Sequence, residues 1–258
     1  MKMNRTFKVW LFVILFFAVV AYIVYAMLNL TEGDKNELCA RVDIEITYNG
    51  ATPFVTQQSL TDDLYAEGLY PEGKLMTEVS AADIERMLMK NKFLRNVECY
   101  KTNNGMEIGK GKVCIRAHQR VPVIYVLPDN ADGYYVDAEG TVIPNTSYAT
   151  NILTATGKID QQYATSDLAQ FATFIVSDEF WSQQTEQIAV SVDRRGRHVV
   201  TMVSRVGDHV IYLGTLADYE KKLRRMEIFY EKGLSKVGWN KYSKINLEYD
   251  NQVVCTKR

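Results

Sequence analysis

The 258-residue chain predicts an α+β protein: a single N-terminal transmembrane helix, a small strand–helix–helix–strand–strand domain, and a β-rich domain with a C-terminal amphipathic helix and closing edge strands. Three observations carry this reading. Val9 to Leu28 is uncharged and almost wholly apolar. From Asn36 to Arg120 the apolar period switches from 2 to 3.6 and back again. Beyond Pro122 short alternating runs predominate, punctuated by Pro128, Asp132-Gly133 and Glu139-Gly140.

A helix of about 20 residues rising about 1.5 Å each matches a hydrocarbon core of about 30 Å. Trp10 at one end of the apolar run and Tyr22 and Tyr25 at the other suit headgroup depth. Lys2, Arg5 and Lys8 precede it, whereas Glu32, Asp34 and Glu37 follow with only Lys35 among them. The basic side stays in the cytoplasm, which places 1–8 as a cytoplasmic tail, 9–29 as the span and the remainder outside. A cleaved signal peptide has a shorter apolar core and a small-x-small site, and none is evident around Tyr25-Ala26-Met27-Leu28.

In the first external domain, 36–120, Val42, Ile44 and Ile46 alternate with Asp43 and Glu45 as a strand. Thr56 to Glu67 reads as a helix with Leu60 and Leu64 inward, ended by Gly68. Ser80 is a good N-cap for a helix over Ala81 to Lys90, with Ile84, Met87 and Leu88 inward. Phe93, Val97 and Cys99 begin a strand, Thr102 to Gly111 is a loop or hairpin end, and Val113, Ile115 and Ala117 alternate in the next strand. Two helices can close a core over one face of three strands.

In the second domain, 121–258, Val123 to Leu127, Gly133 to Asp137 and Thr141 to Pro144 are short strands. Ser166 is expected to cap a helix running to about Val176, and Asp178-Glu179 to close it. Ile188 to Val192, Val199 to Val203 and His209 to Leu213 form a meander. Leu216 to Lys232 is the clearest amphipathic helix, with a stripe of Leu216, Tyr219, Leu223, Met226 and Tyr230 and with Gly233 as its stop. Lys244 to Tyr249 and Gln252 to Cys255 are the closing strands.

Candidate chemistry is sparse. The net charge of −1 gives no sign of nucleic acid. His118, His198 and His209 have no carboxylate, Ser or Cys partner at a recognisable spacing. Gly109-Lys110-Gly111-Lys112 lacks the phosphate-loop pattern. Cys39, Cys99, Cys114 and Cys255 form no CxxC and no zinc spacing, so no metal, cofactor or catalytic residue is assigned. Cys99 and Cys114 either face each other across a hairpin as a disulfide or remain buried free thiols. Arg194-Arg195-Gly196-Arg197 reads as a solvated turn.

Several motifs, in this order, resemble the FtsQ/DivIB cell-division family: Gln119-Arg120-Val121-Pro122-Val123 at the junction of two external domains, Tyr134-Tyr135-Val136-Asp137-Ala138-Glu139-Gly140, Leu213-Gly214 with Lys222-Leu223, and Ile245-Asn246-Leu247-Glu248-Tyr249. The Tyr249–Cys255 ending resembles the Bacteroidetes branch. Asn246 stands where Asp is usual and Glu248 where Arg is usual. The resemblance implies a POTRA domain followed by the family's β domain and no catalysis. It implies a bitopic divisome scaffold in the inner membrane, periplasmic at its C-terminal side and enriched at the septum. Its partners would be FtsB- and FtsL-like single-span proteins and other divisome membrane proteins. The family's partner-binding strand maps onto Tyr249, Asn251, Val253 and Val254, and its basic contact falls among Arg194, Arg195 and Arg197, with Arg195 and Arg197 the candidate site residues. In the first domain the helix 81–90 and the strand 113–118 are the expected recruitment surfaces. Two competing classes are a membrane-anchored POTRA protein of secretion or outer-membrane assembly and a tethered envelope enzyme. The chain lacks the internal repeat that the former usually shows.

Overall fold

The computed structural model describes residues 5–30, 37–103, 110–146 and 152–258. Helix α1 is Arg5–Leu30. Among the described residues no helix is long and apolar enough to cross a membrane. Only Trp10 and 14–25 of α1 have described side chains, and the remainder of the expected span lies outside them. Beyond α1 the order of the first expected domain is β1 (Leu38–Thr47), α2 (Gln57–Ala66), α3 (Ala81–Leu88), β2 (Leu94–Asn103) and β3 (Lys110–Gln119). The tip of the expected hairpin, 104–109, lies outside the described residues.

The chain divides into two compact units. The first comprises Met1–Glu45, Gln57–Leu88 and Val97–Arg116. Leu60 and Leu64 of α2 and Ile84 and Leu88 of α3 are fully buried, as their i, i+4 spacing requires. The Ser80 hydroxyl accepts from the Asp83 N–H at 3.3 Å, the expected cap. The sheet order is β1-β3-β2. Cross-strand charges pair Lys112 with Asp43 and Arg116 with Glu45, and the Lys112 ammonium holds the Asp43 carboxyl below its usual value. The 113–118 strand expected as a recruitment surface is the central one, with Val113, Cys114, Ile115 and Ala117 buried. Its backbone is paired on both sides and has no edge to offer.

The second unit is Ile46–Thr56, Met89–Asn96 and Ala117–Arg258. Its strands are β4 (Pro122–Pro128), β5 (Tyr134–Asp137), β6 (Val142–Ile143), β7 (Thr154–Gly157), β8 (Thr185–Val192), β9 (His198–Ser204), β10 (Val210–Gly214), β11 (Tyr242–Asn246) and β12 (Val254–Lys257). They form one sheet in the order β12-β11-β10-β9-β8-β7-β4-β5-β6. β7 lies parallel to both β4 and β8, and β11 parallel to β10. Parallel neighbours need crossovers, and helices supply two of them. α4 (Gln161–Tyr163), a π turn, α5 (Ala169–Ser177) and α6 (Glu179–Gln184) join β7 to β8. α7 (Tyr219–Phe229), a second π turn and α8 (Ser235–Val237) join β10 to β11. The apolar core gathers Phe171, Ile175, Trp181, Leu223 and Met226 from the helices with Ile124, Val136, Ile188, Met202, Ile211 and Ile245 from the strands.

Several elements differ from the sequence expectation. The first helical segment starts at Asp160, whose carboxylate accepts from the Tyr163 N–H at 2.8 Å, and not at Ser166. Ser166 lies inside the helix and donates back to the Gln162 carbonyl at 2.7 Å, a competing bond that accompanies the π turn. Asp178 opens α6, accepting from the Trp181 N–H at 2.9 Å. Gly233 does not stop the long helix, because the π turn Tyr230–Leu234 carries it on to Gly238 at φ 95. The closing strands are 242–246 and 254–257, not 244–249 and 252–255. All four cysteines are free, so the disulfide alternative is overturned. Burial, with Glu85 adding to it, pushes the Cys99 thiol up to about 12.

Two buried polar constellations hold the second unit. Arg120 Nη1 donates to Asp137 Oδ2 at 2.7 Å and to the Thr141 hydroxyl at 3.2 Å. Asp137 Oδ1 accepts from the N–H groups of Glu139 and Thr141 at 3.0 and 2.8 Å. Asp137 therefore serves an ion pair and a tight turn at once. Gly140 sits in that turn at φ 78, where a Cβ would lie 2.1 Å from the Thr165 carbonyl. Elsewhere the Tyr230 hydroxyl meets His209 Nε2 at 2.8 Å and the Ser204 hydroxyl at 2.9 Å. Burial lowers the His209 pKa below its ordinary 6.5, with the Trp239 carbonyl opposing.

These features predict three results. Asp137→Ala leaves the largely buried Arg120 guanidinium only the Thr141 hydroxyl and the exposed Glu139 carboxylate at 3.5 Å and costs about 3 kcal/mol by urea unfolding. As pH falls below about 6.5 the unfolded chain takes up the histidine proton before the folded one, so stability declines toward acid. The unfolding midpoint drops more steeply between about pH 7 and pH 5 in the wild type than in His209→Gln, and equal slopes would contradict the assignment. Thiol titration of denatured, unreduced protein finds all four cysteines reactive.

Candidate partner-binding edge

β12 is the terminal strand of the nine-stranded order and pairs only with β11 among the described residues. Its register sets Val254 opposite Asn246, Cys255 opposite Ile245 and Thr256 opposite Lys244. The outer N–H and C=O groups of such a strand are free to pair with another chain. Val254 is 44% exposed.

The chain reaches β12 through the turn 247–253. The Leu247 N–H makes the last bond of the β10–β11 pair, to the Tyr212 carbonyl at 2.9 Å. The Asn246 side chain then accepts from the Glu248 N–H at 2.8 Å and bends the backbone out of the sheet. Asn is thus competent at the position where the family resemblance expects Asp, since either side chain offers this acceptor. Glu248, standing where Arg is expected, lies against Gly214, and its charge acts on Lys222 of α7. Tyr249 is 51% exposed, and Asn251 takes a left-handed φ of 57. Val253 is half-buried and packs on the core. Of the four residues proposed as one partner-binding strand, only Val254 lies in a strand. Tyr249 and Asn251 are on the turn, and Val253 is its half-buried shoulder.

Arg195 and Arg197 lie in the turn between β8 and β9. Asp193 organises it, accepting from the N–H groups of Arg195 and Arg197 at 2.8 and 2.9 Å and from Arg197 Nε at 2.8 Å. These bonds hold the Asp193 carboxyl below its usual value. The Arg195 side chain stays exposed, whereas Arg197 is half committed to Asp193. The pairings Val192 with His198, Gly214 with Val200, Tyr212 with Asn246, and Asn246 with Val254 put this turn and the 247–253 turn at the same end of the sheet.

Tyr212 is the residue that sequence reasoning missed. Burial raises its pKa, and Glu248, Asp193, Arg197 and Tyr249 all act on it, so it stands between the two groups. The Lys244 ammonium sits 4.2 Å from its ring centroid. The alternation of 209–213 carried the signal: Ile211 and Leu213 point to the core, so Tyr212 must point away from it.

Elsewhere one histidine is absorbed into structure. His198 stacks on Tyr163 at 4.0 Å and pairs with Asp160 at 3.1 Å. Among the described residues no cluster of His, Cys, Asp and Glu is arranged to hold a metal ion.

Comparison with known proteins places these features in a family. A POTRA-like domain model matches residues 37–116. The model described as "FtsQ/DivIB, C-terminal related" matches residues 121–256. Among solved structures the chain is similar to POTRA1-2 of the periplasmic domain of Omp85 from Anabaena, at 12% identity over 64% of this chain and 92% of that one, with a TM-score of 0.28, too low to bear on the fold. No curated protein matches. With a POTRA-like domain at 37–116 and the C-terminal domain over 121–256, the chain belongs to the FtsQ/DivIB family.

Proposed function

We propose that this protein is a bitopic membrane scaffold of the bacterial divisome that captures FtsB- and FtsL-like single-span partners by strand addition at β12 and links cytoplasmic division proteins to septal wall synthesis. The observation that carries the proposal is the terminal position of β12 in the sheet, beside an exposed Tyr249 and Val254. An incoming strand would extend the main-chain ladder, and alternate side chains would supply specificity. Tyr249 offers an aromatic anchor at the start of that edge. Arg195 and Tyr212 extend the surface along the same end of the sheet, where tyrosine and arginine typically dominate binding energy.

The apolar run 9–28 fits the role. As an anchor it would confine the edge to two dimensions beside partners that are themselves single-span proteins, raising their effective concentration. The expected address is the inner membrane at the septum, with 1–8 cytoplasmic and the two external domains periplasmic.

Tyr249→Ala and Val254→Glu test the edge without touching the core. Val253→Glu is the poorer test, because Val253 packs against buried residues and a buried charge would unfold the domain. Either surface substitution is expected to reduce capture of the FtsB-like protein by the full-length, membrane-extracted chain at least about tenfold, a loss of about 1.4 kcal/mol. Unchanged capture with both would sink the proposal.

A further inference from the structure

Two cations of α7 lie at the foot of the turn that carries Tyr249 and Asn251, and one of them, Arg225, bonds it. Lys222 is 6% exposed, and its Nζ donates to the Leu213 and Thr215 carbonyls at 3.0 and 2.8 Å. One turn along the helix, Arg225 Nη2 donates to the Leu247 carbonyl at 2.9 Å. β12 begins at Val254, opposite Asn246. The Leu247 carbonyl therefore falls beyond the last β11–β12 pair, and Arg225 supplies its partner. Among the described residues, the N–H groups of 249–253 make no backbone bond outside the strand ladder. The turn is fixed at its ends, by Arg225 and Asn246 on one side and by β12 on the other.

The charges agree. The carboxylates of Glu248 and Asp250 on the turn both act on Lys222, and Asp250 acts on Lys221 as well. The acidic segment thus faces the cationic first half of α7. Nothing in an amphipathic helix alone requires a buried lysine. The lysine stem fills the core while the ammonium closes the open end of β10.

We propose that Arg225 is a positioning residue for partner capture: through the Leu247 carbonyl it holds the 247–253 turn in the conformation that presents Tyr249, while Lys222 closes the neighbouring end of β10. This rests on the reading of that turn and β12 as the partner edge. The cations act through the Leu213, Thr215 and Leu247 carbonyls. Removing Arg225 would free the turn while leaving its exposed side chains chemically intact.

The test uses the full-length chain in detergent, with amide hydrogen exchange and capture of the FtsB-like protein measured on the same samples. Arg225→Met is expected to speed exchange of the Leu247 and Glu248 amides, which donate to the Tyr212 carbonyl and the Asn246 side chain, about tenfold, the worth of one charge-assisted hydrogen bond, with β8, β9 and β10 unchanged. Capture falls by a similar factor. Arg225→Lys, which keeps the charge and one donor, restores most of both. If Arg225→Met loosens the whole domain, Arg225→Lys still reports on the turn alone, by exchange intermediate at Leu247 and Glu248 and normal elsewhere. Unaltered exchange at Leu247 and Glu248 in both variants would overturn the positioning role. Faster exchange with unaltered capture would instead overturn the partner-edge reading on which the role depends.

Discussion

The second unit depends on one apolar layer, in which helices on one face of a nine-stranded sheet bury Trp181, Phe171, Leu223 and Met226 against Ile188, Met202, Ile211 and Ile245. At about 25 cal/mol per Å² this burial is the dominant favourable term. It also dictates topology. The helical segments between β7 and β8 and between β10 and β11 cross over that layer, so both strand pairs run parallel. The chain then leaves α8 at one end of the sheet and has two strands left to place. β11 takes the open side of β10, and β12 becomes the boundary. The exposed edge follows from where the core forces the last crossover to land.

An open edge is a hazard that proteins usually blunt. Here β12 is only four residues long and is reached through a turn whose entrance Arg225 and Asn246 pin. A short edge with a fixed entrance is suited to one partner strand and poorly suited to indiscriminate pairing. Asp193 performs the equivalent service for the neighbouring arginine turn, aiming Arg195 outward by holding its backbone and not its side chain.

The strand–helix–helix–strand–strand order and the burial of Leu60, Leu64, Ile84 and Leu88 were legible in the sequence because short amphipathic elements announce their buried face by spacing alone. The meander β8–β10 was legible for the same reason. The misses share a cause: a local signal competed with a tertiary one. Ser166 is a good cap in isolation, yet Asp160 stands earlier and its carboxylate takes the role. Gly233 is a good stop, yet a π turn keeps Tyr230 against Ser204 and His209 and carries the helix past it. β7, Thr154–Gly157, is a strand because it is sandwiched between β4 and β8; its own four residues say little. At the candidate edge, Asn251 and its left-handed φ show why alternation failed, since a turn interrupts what reads as a nearly continuous strand.

The central claim is that β12 and its entrance turn receive the partner. It is tested most directly in living cells by a photo-crosslinking amino acid placed at Tyr249 or Val254, with Val176, an equally exposed apolar position on α5, as control. The account predicts that both edge positions crosslink to the FtsB-like protein and that Val176 does not. Crosslinking at Val176 alone, or no crosslink at either edge position in dividing cells, would contradict it.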